Sequence, residues 1–263
     1  MNNTSLVVVG SGIKFLSHLT EEAKAYITQS DKVLYLLNEP VMKEWIQSVN
    51  SNAESLDGIY VASTLRSHSY RAITEYILAE VRKNQHVCVV IYGHPTIFAQ
   101  PALQAVIQAK QEGFDARVLP GISSEDCLFA DLLIDPGLCG CQSFEATDFL
   151  IRQREFSVTS HLILWQVGTV GILSHPEETF DNANGIDLLL SYLKQFYSLE
   201  HEVVLYEAAQ YPFFLPKIER FSLSRLHEIK ISRISTLYIP PSRVAGLNQS
   251  MLSALGIDIC DLN

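Results

Sequence analysis

Apolar residues along this chain gather in short runs of about five, each closed by Gly, Pro or a polar cluster. The first, "SLVVVGSG", predicts a strand running into a Gly-x-Gly turn. Thr20 then stands as an N-cap before Glu21 and Glu22, so a helix through "AKAYITQS" is expected. "KVLYLL" at 32–37 predicts a second strand, "MKEWIQSV" a helix, and "GIYVA" near 58–62 a short third strand. "SYRAITEYILAEVRKN" places Ala72, Ile73, Tyr76, Ile77 and Val81 on one face, as an amphipathic helix does. "VCVVI" has no charge and many β-branched residues, the pattern of a strand buried on both faces. A helix over 98–112 and a strand in "FDARVLP" follow. Strands alternating with helices predict a parallel, doubly wound sheet up to residue 119.

Beyond "LPGISSEDCLFADLLIDPG" the rhythm changes. Strands are expected at "HLILWQVG" (161–168), "EVVLYEAA" (202–209), "KIERFSLSRL" (217–226) and "STLYIPPS" (235–242), with "GIDLLLSYLKQFYS" as the clear helix among them. That suits a second, mixed α/β lobe over 120–242. Pro120-Gly121 is a hinge candidate, and residues 243–263 form a short helical tail in which Leu247, Met251, Leu252 and Leu255 are able to pack. Clefts between two such lobes commonly bind ligands.

Composition narrows the chemistry. The chain has 263 residues, 48% of them hydrophobic, and a formal net charge of −10, which repels phosphate backbones and argues against nucleic acid as a partner. The five cysteines form no C-x-x-C array, and "CGC" at 139–141 lacks a matching ligand pair, so no metal is expected and reduced thiols are. The opening "MNNTSLVVVG" lacks a basic n-region, and no stretch approaches a membrane span. A cytoplasmic protein without membrane attachment is the expectation.

Several familiar sites are missing. Gly10-Ser11-Gly12 lacks the third glycine of a dinucleotide fingerprint, and Glu39 lies beyond the second strand rather than at its end. There is no G-x-x-x-x-G-K-[ST] loop and no G-x-S-x-G elbow. What remains is the Tyr92-Gly93-His94-Pro95 loop, set between a strand and a helix, where open α/β sheets place ligands. Gly93 lets a ligand approach the backbone, and the loop's lack of Lys and Arg suits an uncharged or zwitterionic molecule. Tyr60, Arg66 and Tyr70 cluster in "YVASTLRSHSY"; Arg66 and Tyr70 are one helical turn apart. Taken alone, that set also describes a surface Arg stacked on aromatic rings.

Read together, "VVVGSG", "YGHPTIF", "LPGISSEDCLFADLLIDPG", "CQSFEATDFL", "LWQVG", "VVLYEAA" and "STLYIPP" resemble the tetrapyrrole (corrin/porphyrin) methylase superfamily, over residues 5 to 242. Within it they resemble the borosin peptide backbone α-N-methyltransferases, whose "YGHP" stands where corrin methylases carry an acidic "GDP"-type loop. That branch also carries the Tyr60, Arg66, Tyr70 and Tyr92 set with this spacing. The resemblance implies a two-lobed α/β fold that binds S-adenosyl-L-methionine between its lobes and releases S-adenosyl-L-homocysteine. It further implies a homodimer, a heterotetramer when two peptides are bound, and methylation of backbone amides in a ribosomal precursor peptide.

A peptide nitrogen is a poor nucleophile because its lone pair is delocalised, so the amide proton must leave and the imidate oxygen must be stabilised. Arg66 is expected to favour a phenolate on Tyr70 or Tyr60, with Tyr70 the first choice as base, and to offset charge on the imidate. The resemblance places Tyr92 near the transferring methyl and implies cofactor contacts from Tyr92, Gly93, His94, Ile97, Ser123, Ser124, Gln166, Tyr206, Ala208, Ser235 and Thr236. His94 is read as part of the cofactor turn rather than as a base, and Trp165 as core. Fused borosin enzymes carry a helical clasp and their own substrate peptide; with only residues 243–263 beyond Ser242, a separate peptide supplied in trans is the expectation. The rivals are a methyltransferase of tetrapyrrole or corrin precursors, and a non-catalytic peptide-docking module. Scarce Arg and Lys near the shared motifs argue against the first, and the Tyr-Arg-Tyr set against the second.

Overall fold

A computed structural model describes residues 5–63, 65–83, 85–174 and 182–262. By internal contacts the chain divides into two units: 1–134, 171–180 and 207–217 form the first, and 135–170, 181–206 and 218–263 the second. The expected boundary after Leu119 falls inside the first unit, which continues through Ile134 and takes back two later segments.

The first unit runs β1 (Ser5–Gly10), α1 (Glu21–Gln29), β2 (Lys32–Leu36), α2 (Pro40–Val49), β3 (Ala53–Ser55), α3 (Asp57–Val61), α4 (Arg66–Val81), β4 (Val87–Ile91), α5 (Gln100–Gln111), β5 (Asp115–Val118) and α6 (Ser124–Leu132). Its sheet has the order β3-β2-β4-β1-β5, parallel throughout. Period-two alternation divides each central strand between two cores. Leu6, Val8, Val87, Val89 and Ile91 face α4 and α5. Val7, Val9, Cys88 and Val90 face α1 and α2. This is the doubly wound arrangement the sequence predicts, and it gathers the loops after β1, β2, β4 and β5 at one edge.

"GIYVA" is not a strand. The third strand is the preceding Ala53–Ser55, and Asp57–Val61 is helix α3. Ser55 accepts a hydrogen bond from the Asp57 amide at 3.1 Å, turning the chain into that helix before the β-branched residues are reached. Elsewhere the local signals hold: the Thr20 hydroxyl accepts from the Ala23 amide at 3.1 Å as the N-cap of α1.

The second unit holds α7 (Pro136–Cys139), β6 (Cys141–Glu145), α8 (Ala146–Arg152), β7 (His161–Trp165), α9 (Ala183–Leu193), β8 (Glu202–Glu207), β9 (Lys217–Ser222), β10 (Thr236–Ile239) and α10 (Gln249–Leu255). The sheet order is β6-β7-β10-β8-β9, with β6 and β7 parallel and β10 antiparallel to both β7 and β8. It is therefore mixed, as predicted. The strand expected over 217–226 stops at Ser222 and gives way to a 3-10 turn that buries Leu223 and Leu226. In the tail, Met251 and Leu255 are exposed rather than packed. Among the described residues no helix is long and apolar enough to cross a membrane.

Candidate active site in the first unit

Three loops of the first unit meet through glycines. The Gly12 amide donates to Gly93 O at 3.2 Å and the Gly93 amide to Gly12 O at 3.1 Å, joining the loops after β1 and β4. Both residues have positive φ, 69° and 71°. A Cβ on Gly10 would stand 2.2 Å from Gly93 O, and one on Gly121 would stand 3.4 Å from the same oxygen. The backbone beside Tyr92–Ile97 thus forms a close-packed cradle without a cationic side chain in the loop. Of Pro120-Gly121, read from sequence as a hinge, Gly121 borders this cradle while Pro120 is exposed. His94 holds the turn together: its Nδ1 accepts from the Thr96 amide at 3.2 Å and bonds the Thr96 hydroxyl at 2.9 Å, while the Ile97 amide donates to His94 O.

Ser123 caps α6 in a reciprocal box with Asp126: its hydroxyl accepts from the Asp126 amide at 3.1 Å, and its own amide donates to the Asp126 carboxylate at 2.7 Å. Its side chain is therefore committed to the helix, leaving Ser124 as the first helical residue beside it.

The Tyr60–Arg66–Tyr70 set is brought together at the junction of α3 and α4. The two tyrosine rings stack with centroids 6.3 Å apart and 23° between planes. Arg66 opens α4, one turn before Tyr70 on the same face. Its guanidinium donates to the backbone carbonyls of Ile172 and Ser174, so the returning segment 171–174 fixes its position. One expectation is corrected here. Tyr70 is shifted up from the ordinary phenol value, not down: burial is the main cause, followed by Tyr60, and Arg66 opposes both without prevailing.

Tyr92 lies in a second group. Burial pushes its phenol up, a side-chain hydrogen bond from Gln210 opposes that shift, and the Glu39 carboxylate lies close enough to reinforce it. Glu39 is buried; one carboxylate oxygen accepts from the Met42 amide at 2.7 Å, capping α2, and the other accepts from the Tyr211 hydroxyl. The Phe15 amide donates to Gln210 O at 2.9 Å. Sequence reasoning met Glu39 only as a failed ribose ligand and passed over Gln210 and Tyr211. The only signal for them was "QYPFFLP", an aromatic and proline cluster directly after "YEAA". Ala208, at the start of this returning segment, belongs to the same unit.

In the second unit, Gln166 follows β7 in the left-handed region at φ 58°, and its carbonyl accepts from the Thr169 amide at 2.9 Å. A non-glycine residue held there carries backbone strain of the kind found at functional sites. Trp165 beside it is buried. Tyr206 is fully buried and pairs in register with Thr236; the fully buried Ser235 has a hydroxyl that accepts from the Ser232 amide at 2.8 Å. Among the described residues there is no group of three or more His, Cys, Asp or Glu that could hold a metal ion.

Residues 5–224 match the family model of the Tetrapyrrole (Corrin/Porphyrin) Methylases. Over 255 residues the chain is 41% identical to the methyltransferase/ribosomally synthesized cyclic peptide omphalotin A precursor of Omphalotus olearius, covering 95% of this chain and 61% of that protein. It is 40% identical over 256 residues to a type III borosin cyclic peptide precursor of Anomoporia bombycina, covering 96% of this chain and 30% of the relative. The chain thus spans less than two thirds of the length of these relatives. Among solved structures, a uroporphyrin-III C-methyltransferase from Thermus thermophilus superposes with a TM-score of 0.64 at 17% identity, covering 90% of this chain and 92% of that one. A diphthine synthase gives 0.62 at 14% identity, covering 92% of each chain. At those identities the likeness is one of fold.

Proposed function

The chain belongs to the tetrapyrrole (corrin/porphyrin) methylase family, and we propose that it is an S-adenosyl-L-methionine-dependent methyltransferase acting on backbone amides of a precursor peptide supplied in trans. The observation that carries this reading is the Tyr60–Arg66–Tyr70 group, assembled at the head of α4 and locked there by two backbone carbonyls. The names of the 40%-identical relatives, each a methyltransferase joined to a peptide precursor, point the same way. The proposed assembly is a homodimer, taking two peptides as a heterotetramer.

The first unit's loops suit a zwitterionic sulfonium. The cradle is closed to a Cβ at Gly10, offers backbone groups, and has no Lys or Arg in Tyr92–Ile97. The proposed contacts there are Tyr92, Gly93, His94, Ile97, Ser123, Ser124 and Ala208. In the second unit Gln166, Tyr206, Ser235 and Thr236 are proposed on the family likeness. The cofactor supplies the methyl group and leaves as S-adenosyl-L-homocysteine.

The chain's own task is to loosen an amide. As the amide proton leaves, negative charge grows on the carbonyl oxygen. Arg66 supplies a fixed positive charge, and the neutral phenol of Tyr70 supplies an O–H donor whose bond strengthens as that charge develops. With its value raised above the ordinary one, Tyr70 starts as a phenol. Tyr70 therefore acts as a donor to the carbonyl oxygen once its hydrogen bond to Tyr60 rearranges, and the amide nitrogen gives up its proton to solvent water as its bond to the methyl group forms. Tyr92, fixed by Gln210 beside the cradle, is the proposed neighbour of the transferring methyl.

The test incubates purified protein with S-adenosyl-L-methionine and synthetic peptides and maps methyl increments by tandem mass spectrometry. Increments on backbone nitrogens are expected. Methylation confined to side chains, or turnover of a tetrapyrrole precursor in place of peptides, would sink the reading.

A further inference from the structure

One segment ties together three loops of the candidate site. Residues 207–217 belong to the first unit, and the Lys217–Glu207 ion pair at 3.8 Å draws the ends of the segment together. Within it, the Gln210 carbonyl accepts from the Phe15 amide of the loop after β1 at 2.9 Å. The neighbouring Tyr211 hydroxyl donates to Glu39, the buried cap of α2 in the loop after β2. The Gln210 side chain bonds the Tyr92 phenol at the start of the loop after β4. We propose that Gln210 is a positioning residue for methyl transfer: it holds the Tyr92 hydroxyl so that the phenol proton is offered to the bound peptide and not to the Glu39 carboxylate.

Donor and acceptor roles carry the argument. A phenol oxygen has one proton and two lone pairs, and a glutamine amide has two N–H donors beside its carbonyl. The bond from Gln210 favours the phenolate form of Tyr92, which is what a donor to the oxygen does and an acceptor from it does not. One lone pair is thereby filled, and the Tyr92 proton points away from Gln210. The competing acceptor is close: Glu39 and Tyr92 line one small hollow of about 10 Å³. Hydrogen bonds to an ionised carboxylate are roughly twice as strong as those to a neutral acceptor. A phenol turned toward Glu39 would offer the peptide only its lone pairs.

The Gln210 amide is itself fixed from both sides. Phe15 ties its carbonyl, and Glu39 ties the next residue, Tyr211. Pro212 follows with a locked φ, and the Phe214 amide closes the turn on Tyr211 O at 3.3 Å. A side chain whose backbone is held this way keeps its partner within the narrow tolerance that a reacting geometry requires.

This inference rests on the peptide-methyltransferase reading, and the test separates the two. Wild type, Gln210→Met and Gln210→Glu are compared by kcat and KM on a synthetic peptide the wild type methylates, and by the cofactor dissociation constant, after circular dichroism confirms folding. Gln210→Met keeps the length and removes the bond; kcat should fall about tenfold to a hundredfold, the scale of a small misplacement, with KM and cofactor binding within about twofold. Gln210→Glu keeps the shape but accepts where the amide donated, so it draws the Tyr92 proton inward, and kcat should fall further than in Gln210→Met. A merely structural role gives the reverse order. In a Tyr92→Phe background, with no hydroxyl to orient, Gln210→Met should change single-turnover rates by less than about twofold. An unchanged kcat in Gln210→Met, the reverse order of the two variants, or an equal loss with and without the Tyr92 hydroxyl overturns the positioning role alone, since the wild type still methylates. No methylation of any peptide by the wild type overturns the underlying reading and this one with it.

Discussion

Tyr70 stacks on Tyr60 with ring centroids 6.3 Å apart, and burial of its phenol, reinforced by that neighbour, outweighs the Arg66 charge one helical turn away. The phenol therefore stays protonated at neutral pH, its value raised from the usual 10.0. If Tyr70 acts as a hydrogen-bond donor to the imidate oxygen, methylation rates stay flat between pH 7 and 9. If free phenolate is the base, the logarithm of the rate climbs with unit slope over that range. We expect the flat profile. Tyr70→Phe should lower kcat by about a hundredfold or more, the range that loss of one hydrogen-bond donor to a developing oxyanion gives, with the cofactor dissociation constant held.

Gly10 answers for the cradle. An added Cβ would stand 2.2 Å from Gly93 O and 2.9 Å from Pro95 Cδ, and neither atom belongs to a flexible side chain. Gly10→Ala should cost about 1–3 kcal/mol of stability, as overpacking does, and weaken cofactor binding by forcing the loop after β4 aside. Urea unfolding and isothermal titration measure the two effects. A variant with full stability and unchanged binding would show that the three loops do not depend on close backbone approach.

Much of this was legible in the sequence, and where it was not the reason is physical. Caps are local: Thr20 announces α1 through a hydroxyl three residues from its partner. The alternation that splits "VCVVI" between two cores is local too. "GIYVA" misled because β-branched composition reads as strand, while the Ser55–Asp57 turn that made it a helix involves polar residues just upstream. What no local signal carries is the return of 171–174 to Arg66 and of Gln210 and Tyr211 to Tyr92 and Glu39, since these join residues more than a hundred positions apart. The same is true of the Tyr70 shift, where sequence shows the nearby Arg but not the burial that outweighs it.

Glu39 works locally as a cap and remotely as the anchor of Tyr211. Glu39→Ala removes the acceptor for the Met42 amide, a loss of about 1 kcal/mol by the usual worth of an N-cap. It also frees the segment around Tyr211 from its buried carboxylate. Limited proteolysis should then cut within 207–217 much faster than in the wild type, ahead of global unfolding. Glu39→Gln, which keeps an acceptor, should restore most of the protection. Equal cleavage of all three proteins would show that the segment is held by other contacts.

His161 connects protonation to the second unit. Its Nδ1 and the Tyr238 hydroxyl are 2.7 Å apart, and burial holds the imidazole below the ordinary 6.5 while pushing the Tyr238 phenol well up. At neutral pH the phenol keeps its proton and donates it to a neutral ring. Because the folded value is depressed, the unfolded chain takes up a proton first as pH falls through 6.5. The stability present above that value is therefore lost on acidification, through the folded value. His18 in the first unit behaves alike: burial is the main cause, Lys14 adds to it, and Asp126 and Asp131 oppose. Chemical denaturation of the wild type from pH 7.5 to 5 should show stability falling, and His161→Gln should flatten part of that slope while lowering stability at pH 7.5. A slope identical in both proteins would mean that His161 titrates in the folded state as it does in the unfolded chain.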